Sequence, residues 1–370
     1  MESTVATEVW HNSIVRARHL TVAGLSIGAT CKALIATLLC SAVLLSLCSA
    51  AAASDRGADL AATPPQRVLF VASKDTSIYR QIVTAGQSVV AGENSAVVLA
   101  DQTTESALRT ELARFAPALV VTVGTAAAQL AYPVVFAADS PAAKPPLLLS
   151  TLLTRSAYQV FAERYVATAN RSDAVVVVQF LDQPLQRQLH LAALVMPEAE
   201  RIGLMVGPST ALGEEQISRL AAELGKPIAP VYLSATDNPI RVLEPALAAS
   251  EVFVPLADSR QFNLATSRWI LQLSYRYRRP VVGYSASYAD AGAVAAVYTS
   301  AEDVAAQLAA TLSQWQREGL PEQSAQRPPQ QFSISLNHAA AAALDIPLAD
   351  QSYYRRELEK SDSGAAYELD

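Results

Sequence analysis

Cysteine is scarce in this 370-residue chain, and its three cysteines all lie near the amino terminus, at Cys31, Cys40 and Cys48. The chain beyond residue 48 therefore has no disulfide, no thiolate nucleophile and no cysteine-based zinc site. That stretch is long enough to bury a large apolar core without such cross-links. Cysteine chemistry is excluded from whatever function it carries.

Histidine and glycine-rich motifs are also scarce. Of the four histidines, only His190 and His338 lie beyond the amino-terminal region, each in a helical pattern among apolar or alanine neighbours. They lack the spacing of metal ligands, and no GxSxG nucleophile motif follows residue 53. The phosphate-binding patterns GxGxxG and GxxxxGK[ST] do not occur. No cofactor or metal is therefore expected.

Basic charge is in the minority. The chain has 28 basic and 34 acidic residues, for a formal net charge of -6. Such a balance does not favour nucleic acid or an anionic membrane surface as a partner.

The first 53 residues are predicted to be an export signal. Arg16, Arg18 and Lys32 precede an uncharged apolar run over residues 33–53, which ends in four alanines. Cleavage is expected near Ala53, which would leave a periplasmic protein. The run is also close to the length of about 20 residues that spans a bilayer, so an uncleaved membrane anchor is the alternative.

Extended apolar runs alternate with helical patterns after the leader. Strands that are apolar on both faces and separated by helices indicate a parallel sheet covered on each side. The first series is 67–73, 95–100, 118–124 and 171–181, and the second is 201–207, 227–233, 251–256 and 280–285. Two series predict an α/β protein with two Rossmann-like lobes. Further extended segments at 293–299 and 331–337 flank a helix at 301–318, so the chain is expected to cross between lobes more than once.

The lobe boundaries follow from these series. We predict a signal peptide at 1–53, a first lobe at 66–181 plus 286–326, a second lobe at 182–285 plus 327–350, and a tail at 351–370. The fourth strand of the first lobe is left open between residues 133–139 and 145–153. Pro141, Pro145 and Pro146 prevent one continuous element there.

Polar residues follow the carboxyl ends of predicted strands in both series. They include Ser73, Lys74, Thr125, Ser209, Asp258 and Ser285. Ligands of open parallel α/β sheets bind outside those strand ends. The alternative is that each residue only caps a helix. Because several occur in both lobes, binding is favoured.

One segment also carries a family resemblance. VVTVGTAAAQLA at 120–131, followed by PVVFAAD, resembles the strand, Gly-Thr turn and helix of solute-binding proteins in the ABC-transport family that includes the tryptophan-type binding proteins. Segments 181–208, 252–263, 278–298 and 336–348 resemble the same family in the same order. The resemblance covers nearly all of the chain after the leader.

The resemblance implies a type I periplasmic binding fold, in which a multi-strand hinge joins two lobes around a ligand. It places Gly124 and Thr125 in the first-lobe turn, Asp258 on the facing strand end and Ser285 beside the hinge. Asp182 matches the acidic start of the helix after the first crossover. The chain departs from the family at 139–174, which is longer and richer in proline, and at 257–259, where Ala-Asp-Ser replaces an Asp-Asn pair. Amino-acid specificity is therefore not carried over.

These residues suggest how a ligand would be held. Gly124 would let the backbone approach the cleft, while Thr125 would cap the next helix and, with Ser73, hold a carboxylate. Asp258 would be available for an amine. Tyr284 and Tyr288 would stack on an apolar ligand part, or else pack within the lobes. Lys74 is the one lysine predicted in the cleft, so a polyanion is not expected.

The function that these features favour is a non-enzymatic periplasmic receptor. It would capture a small molecule, such as an amino acid or small carboxylate, and deliver it to an ABC permease in the inner membrane. A sensor or accessory protein of the same fold is one alternative, and an exported α/β enzyme is another.

Overall fold

Six strands form a parallel sheet at the centre of the first lobe. The computed structural model describes residues 66–137, 145–167, 174–208, 210, 212–234, 236–257 and 264–364, all within one compact unit. In chain order the strands are β1 (Val68–Ala72), β2 (Ser95–Leu99), β3 (Leu119–Val123), β4 (Leu147–Leu153), β5 (Val176–Phe180) and β11 (Ala325–Arg327). Their order across the sheet is β11-β5-β4-β3-β1-β2.

The four inner strands of this sheet, β5, β4, β3 and β1, are buried on both faces, as their apolar sequences predict. In β1, Leu69 and Val71 join one apolar cluster, while Val68, Phe70 and Ala72 join another on the opposite face. Helices cover the sheet and connect its strands. They are α1 (Ser77–Gln87), α2 (Glu105–Phe115), α3 (Thr125–Val135) and α4 (Arg155–Phe161), the last continued by a π-helical turn at Ala162–Val166.

The second lobe also contains six strands. They are β6 (Ile202–Val206), β7 (Ile228–Tyr232), β8 (Val252–Pro255), β9 (Val282–Gly283), β10 (Ala295–Tyr298) and β12 (Ser333–Leu336). They lie in the orders β7-β6-β8 and β12-β10-β9, and a parallel bridge between Phe253 and Val281 links the two groups. The helices of this lobe are α5 (Leu185–Val195), α6 (Glu214–Leu224), α7 (Pro239–Ala249), α8 (Leu264–Tyr277) and α9 (Ala286–Asp290).

The chain passes between the two sheets three times. It leaves the first sheet after β5 and returns after β10 as α10 (Ala301–Glu318), whose Val304 and Leu308 pack on the first sheet. It then adds β11 to the first sheet and β12 to the second.

The return to the first lobe comes later than the boundary predicted at residue 286. β10 pairs with β9 in the second sheet, and Val294, Ala295 and Val297 are buried in the second-lobe core. This apolar segment needs cover on both faces, which the second lobe supplies. The crossing therefore follows Tyr298.

The structure also settles the fourth strand of the first lobe. Residues 147–153 form β4, between β3 and β5. The alternative segment, 133–139, begins inside α3, because this helix includes Pro133 and ends at Val135. Residues 138–144 lie outside the described part of the chain.

The predicted carboxy-terminal tail is instead a docked helix. After α11 (His338–Ala343), α12 (Gln351–Gly364) places Tyr354 and Leu358 in the second-lobe core, 1% and 0% exposed. These two residues are four positions apart and so share one face of the helix. Their spacing explains why the segment packs.

No helix within the described residues has the length and apolar character needed to span a membrane. The predicted leader at 1–53 lies outside those residues, so its cleavage and the periplasmic location stay predictions.

Candidate functional site

Gly124 lies between β3 and α3 in a conformation that requires glycine. Its φ is +89° and its ψ is 170°, a region that is essentially restricted to glycine. A Cβ atom at this position would lie 2.7 Å from the Ser73 Oγ and 2.8 Å from Cε1 of Tyr79. Gly124 is thus required both by its backbone and by the close approach of two side chains.

Ser73 holds this turn in place. Its Oγ donates to the carbonyl of Val123 at 3.0 Å and accepts from the amide of Ala127 at 3.1 Å, and the residue is 6% exposed. Ser73 therefore caps α3, the helix that follows the neighbouring strand. Since its hydroxyl already has both partners, the predicted direct contact between Ser73 and a carboxylate is not supported.

Thr125 does not cap α3, in contrast to the prediction. The N-cap is Gly124, and Thr125 is the first helical residue. Thr125 and Ala126 are exposed, and within the described part of the chain no residue accepts from their main-chain amides. These two amides, at the positive end of the α3 dipole, are free to bind an anion.

A neighbouring helix is capped by Asp182. Its Oδ2 accepts from the main-chain amide of Arg155, the first residue of α4, at 2.5 Å. Thr154 accepts from the amide of Ala157 at 3.2 Å. Burial raises the pKa of Asp182, and the hydrogen bond from Arg155 opposes that rise. Asp182 therefore acts on α4, whereas α5 begins at Leu185 with Pro184 as its N-cap.

Arg155 lies at the same edge of the sheet and was not among the predicted site residues. Its guanidinium lies 4.3 Å from the centroid of the Phe180 ring, at the carboxyl ends of β4 and β5. Burial lowers the pKa of Arg155, and the charge of Asp182 opposes that effect. Arg155 lies two residues after the segment 145–153, so choosing that segment as the strand would have indicated it as a strand-end residue.

Lys74 is exposed beside Ser73, at the end of β1. The next residue, Asp75, pairs with Arg80 at 3.0 Å. Tyr79, whose ring lies close to Gly124, was also not among the predicted site residues. It belongs to α1, which follows β1, whereas Gly124 follows the neighbouring strand β3.

Ser285, which was predicted as a site residue of the second lobe, is a helix cap. Its Oγ accepts from the amide of Tyr288 at 3.2 Å at the start of α9. Two other predicted residues, Ser209 and Asp258, lie outside the described part of the chain, and their roles stay predictions.

The two predicted tyrosines differ in their surroundings. Tyr288 is 5% exposed and packs against Gly283, where a Cβ would lie 2.9 Å from its ring. Burial raises the pKa of Tyr288, and its hydroxyl has no hydrogen-bond partner among the described residues, although Ser267 lies nearby. Tyr284, with its ring centroid 5.2 Å from that of Tyr288, is half-buried and hydrogen-bonds to Ser267. Tyr288 thus packs within the lobe, while ligand stacking by Tyr284 stays a prediction.

No group of histidine and acidic side chains that could hold a metal ion occurs among the described residues.

Comparison with known proteins identifies the fold. No family model and no curated protein matches the sequence. The ligand-free, open structure of a substrate binding protein with adhesive properties from Clostridium difficile is 14% identical with a TM-score of 0.57, over 77% of this chain and 96% of that one. An ABC domain in complex with L-Trp from Streptococcus pneumonia is 15% identical with a TM-score of 0.44, over 80% of this chain and 98% of that one.

A third match is an ABC transporter solute-binding protein from Conexibacter woesei, 15% identical with a TM-score of 0.46 over 81% of this chain and 97% of that one. The chain has the type I periplasmic binding fold, which confirms the predicted fold class. At these identities the relation to the tryptophan-type proteins is distant.

Proposed function

We propose that this protein is a solute-binding receptor. It captures a small molecule in the cleft between its lobes and delivers it to an ABC permease, after the leader has carried it into the periplasm. The observation that carries this proposal is the pair of exposed first-turn amides at Thr125 and Ala126. They lie at the strand edge where ligands of this class of sheet bind.

The construction of the turn supports binding at these amides. Ser73 accepts from the third amide of α3, at Ala127, while the first two amides, on exposed residues, have no acceptor in the described part of the chain. Gly124 keeps side-chain bulk away from the same point, and Tyr79 lies against it. A carboxylate bound there would accept two hydrogen bonds at the positive end of a helix.

The two described serines that follow predicted strands, Ser73 and Ser285, favour binding over catalysis at the strand ends. His190 hydrogen-bonds to Ser361, a residue of α12, and His338 is exposed at the start of α11. Ser73 and Ser285 each act as a helix cap. A nucleophilic serine would need a base within hydrogen-bond reach, and among the described residues no histidine hydrogen-bonds to Ser73 or Ser285.

The test isolates one main-chain amide. Thr125→Pro removes the amide at the first helical position, where proline is well tolerated, and Gly124 with ψ of 170° is compatible with a following proline. Thr125→Val is the matched control, since it removes the hydroxyl but keeps the amide. Calorimetry would follow a thermal-shift screen of amino acids, small carboxylates, sugars and nucleosides.

We expect a ligand whose affinity falls at least tenfold in Thr125→Pro, with a smaller loss in Thr125→Val. Equal affinity in the wild type and Thr125→Pro would show that the amide does not bind ligand. A complete absence of binding across the screen and of any co-purified small molecule would contradict the receptor function.

A further inference from the structure

Among the described residues, no carboxylate forms a hydrogen bond or ion pair with the guanidinium of Arg155. It is half-buried against the Phe180 ring, 4.3 Å from the centroid. Its main-chain amide is bound by Asp182, but no hydrogen bond or ion pair to its side chain occurs within the described part of the chain. Five N–H donors are thus partly removed from water without replacement.

Another arginine of the chain shows the contrast. Arg187, 2% exposed, donates to the Oδ2 of Asp362 from Nε at 2.9 Å and from Nη2 at 2.7 Å, and to the carbonyl of Pro329 at 3.2 Å. A buried guanidinium that serves structure is paired in this way, because an unpaired buried charge is costly. Arg155 lacks such pairing, and its lowered pKa has burial as its main cause.

Asp182 does not fill this role. Its Oδ2 accepts the main-chain amide of Arg155 at 2.5 Å, and no ion pair joins its carboxylate to the Arg155 guanidinium in the described chain. The pKa of Asp182 is itself raised by burial. The carboxylate of Asp182 therefore hydrogen-bonds to the start of α4 and acts on the guanidinium through its charge alone, which leaves the N–H donors of the guanidinium available.

Arg155 lies on the same sheet edge as the open amides of α3. β3 and β4 are parallel neighbours with Val123 opposite Thr151, and the amide of Gly124 donates to the carbonyl of Thr151 at 2.9 Å. Arg155 follows four residues after Thr151. Adjacent strands lie about 4.8 Å apart, so a small molecule could reach both anion-binding features.

We propose that Arg155 is a ligand-binding residue and that the ligand is a small dicarboxylic acid, acidic amino acids included. This inference rests on the proposed receptor function. One carboxylate binds the amides of Thr125 and Ala126, and the second accepts a forked pair of hydrogen bonds from Arg155. The Phe180 ring packs against the guanidinium, 4.3 Å from the ring centroid.

Two substitutions of arginines that contact aromatic rings provide the test. Arg155→Met removes the charge and keeps an apolar stem against Phe180. Arg67→Met is the matched control, because Arg67 also lies over an aromatic ring, that of Phe115 at 5.8 Å, but just before β1, at the opposite edge of the same sheet. Succinate, L-glutamate, L-glutamine, L-leucine and myo-inositol are titrated into each protein by calorimetry.

We expect succinate or L-glutamate to bind the wild type and Arg67→Met equally, and Arg155→Met more weakly by on the order of 10- to 100-fold. Arg155→Lys, which keeps the charge without the fork, should fall between them and serves if Arg155→Met does not fold. Tight binding of L-leucine, L-glutamine or myo-inositol that Arg155→Met leaves unchanged would overturn the dicarboxylate inference and leave the receptor function standing. An absence of binding to every probe, together with an empty broad ligand screen, would count against both.

Discussion

The guanidinium of Arg187 in α5 is bound to the carboxylate of Asp362 in α12, with Nη2 and Oδ2 2.7 Å apart. The same guanidinium donates to the side chain of Gln183 and to the carbonyl of Pro329, and it lies 4.6 Å from the centroid of the Phe332 ring. The carboxy-terminal helix is therefore joined to the segment that leads into β12.

This network reaches all three passages between the lobes. Gln183 follows the first passage and donates from Nε2 to the Oγ1 of Thr299 at 2.6 Å, in the second passage. Thr299 in turn donates to the carbonyl of Leu181 at 2.7 Å. Pro329 belongs to the third passage, between β11 and β12. Asp362 thus stabilises the hinge from a helix that lies outside it.

Asp362→Asn should destabilise the protein by roughly 3 kcal/mol, because it leaves the buried Arg187 without its counter-charge. Asp345→Asn is the matched control, since the side chain of Asp345 is 84% exposed and pairs with Arg278 at the surface, where such a pair contributes about 0–1 kcal/mol. Urea unfolding of the three proteins measures the difference. Equal midpoints for the two variants would contradict the role of Asp362.

His190 should make stability depend on pH. Burial lowers the pKa of His190, while Asp362 and Glu223 oppose this shift. The unfolded chain then takes up a proton first, near pH 6.5, so the contribution of His190 is complete above that pH and is lost as pH falls through the lower folded pKa. His190→Gln should flatten the free energy of unfolding in this window.

The control for this measurement is His338→Gln, because His338 is exposed. Its profile from pH 7 downward should follow the wild type. If His190→Gln and the wild type lose stability in parallel over this range, the pH dependence comes from other groups.

The export prediction is tested at the amino terminus. Expressed with its own leader in a bacterium with a periplasm, the protein should be recovered from that compartment with a terminus near Ser54, because small residues precede this point. Amino-terminal sequencing of the recovered protein measures this. Intact leader in the membrane fraction would instead indicate an anchored receptor.

The strands could be predicted because their pattern is local. Runs such as 118–124 are apolar on both faces, and the structure buries every residue of β3. The turn at Gly124 could also be predicted, because this glycine lies between the apolar run and a helical pattern.

The contacts around that glycine could not be predicted in the same way. Ser73 caps an amide that is 54 residues away, and Asp182 caps one that is 27 residues away. Ser73 follows β1 and caps α3, the helix after the neighbouring strand β3. Asp182 follows β5 and caps α4, the helix after the neighbouring strand β4. Strand order decides such pairs, and strand order is not contained in local periodicity.

Gly124→Ala should both destabilise the protein and abolish ligand binding. The added Cβ meets Ser73 and Tyr79 at less than 3 Å, and its backbone conformation has φ of +89°, which costs a residue with a side chain about 1–3 kcal/mol. Relief of the clash would shift the amides of Thr125 and Ala126 away from their present positions.

Gly92→Ala is the matched control, because a Cβ there meets nothing within 4 Å. It should change the free energy of unfolding by no more than about 0.5 kcal/mol and leave binding intact. Urea unfolding and calorimetry with the ligand found in the screen measure both effects, and full binding by a folded Gly124→Ala variant would place the ligand elsewhere.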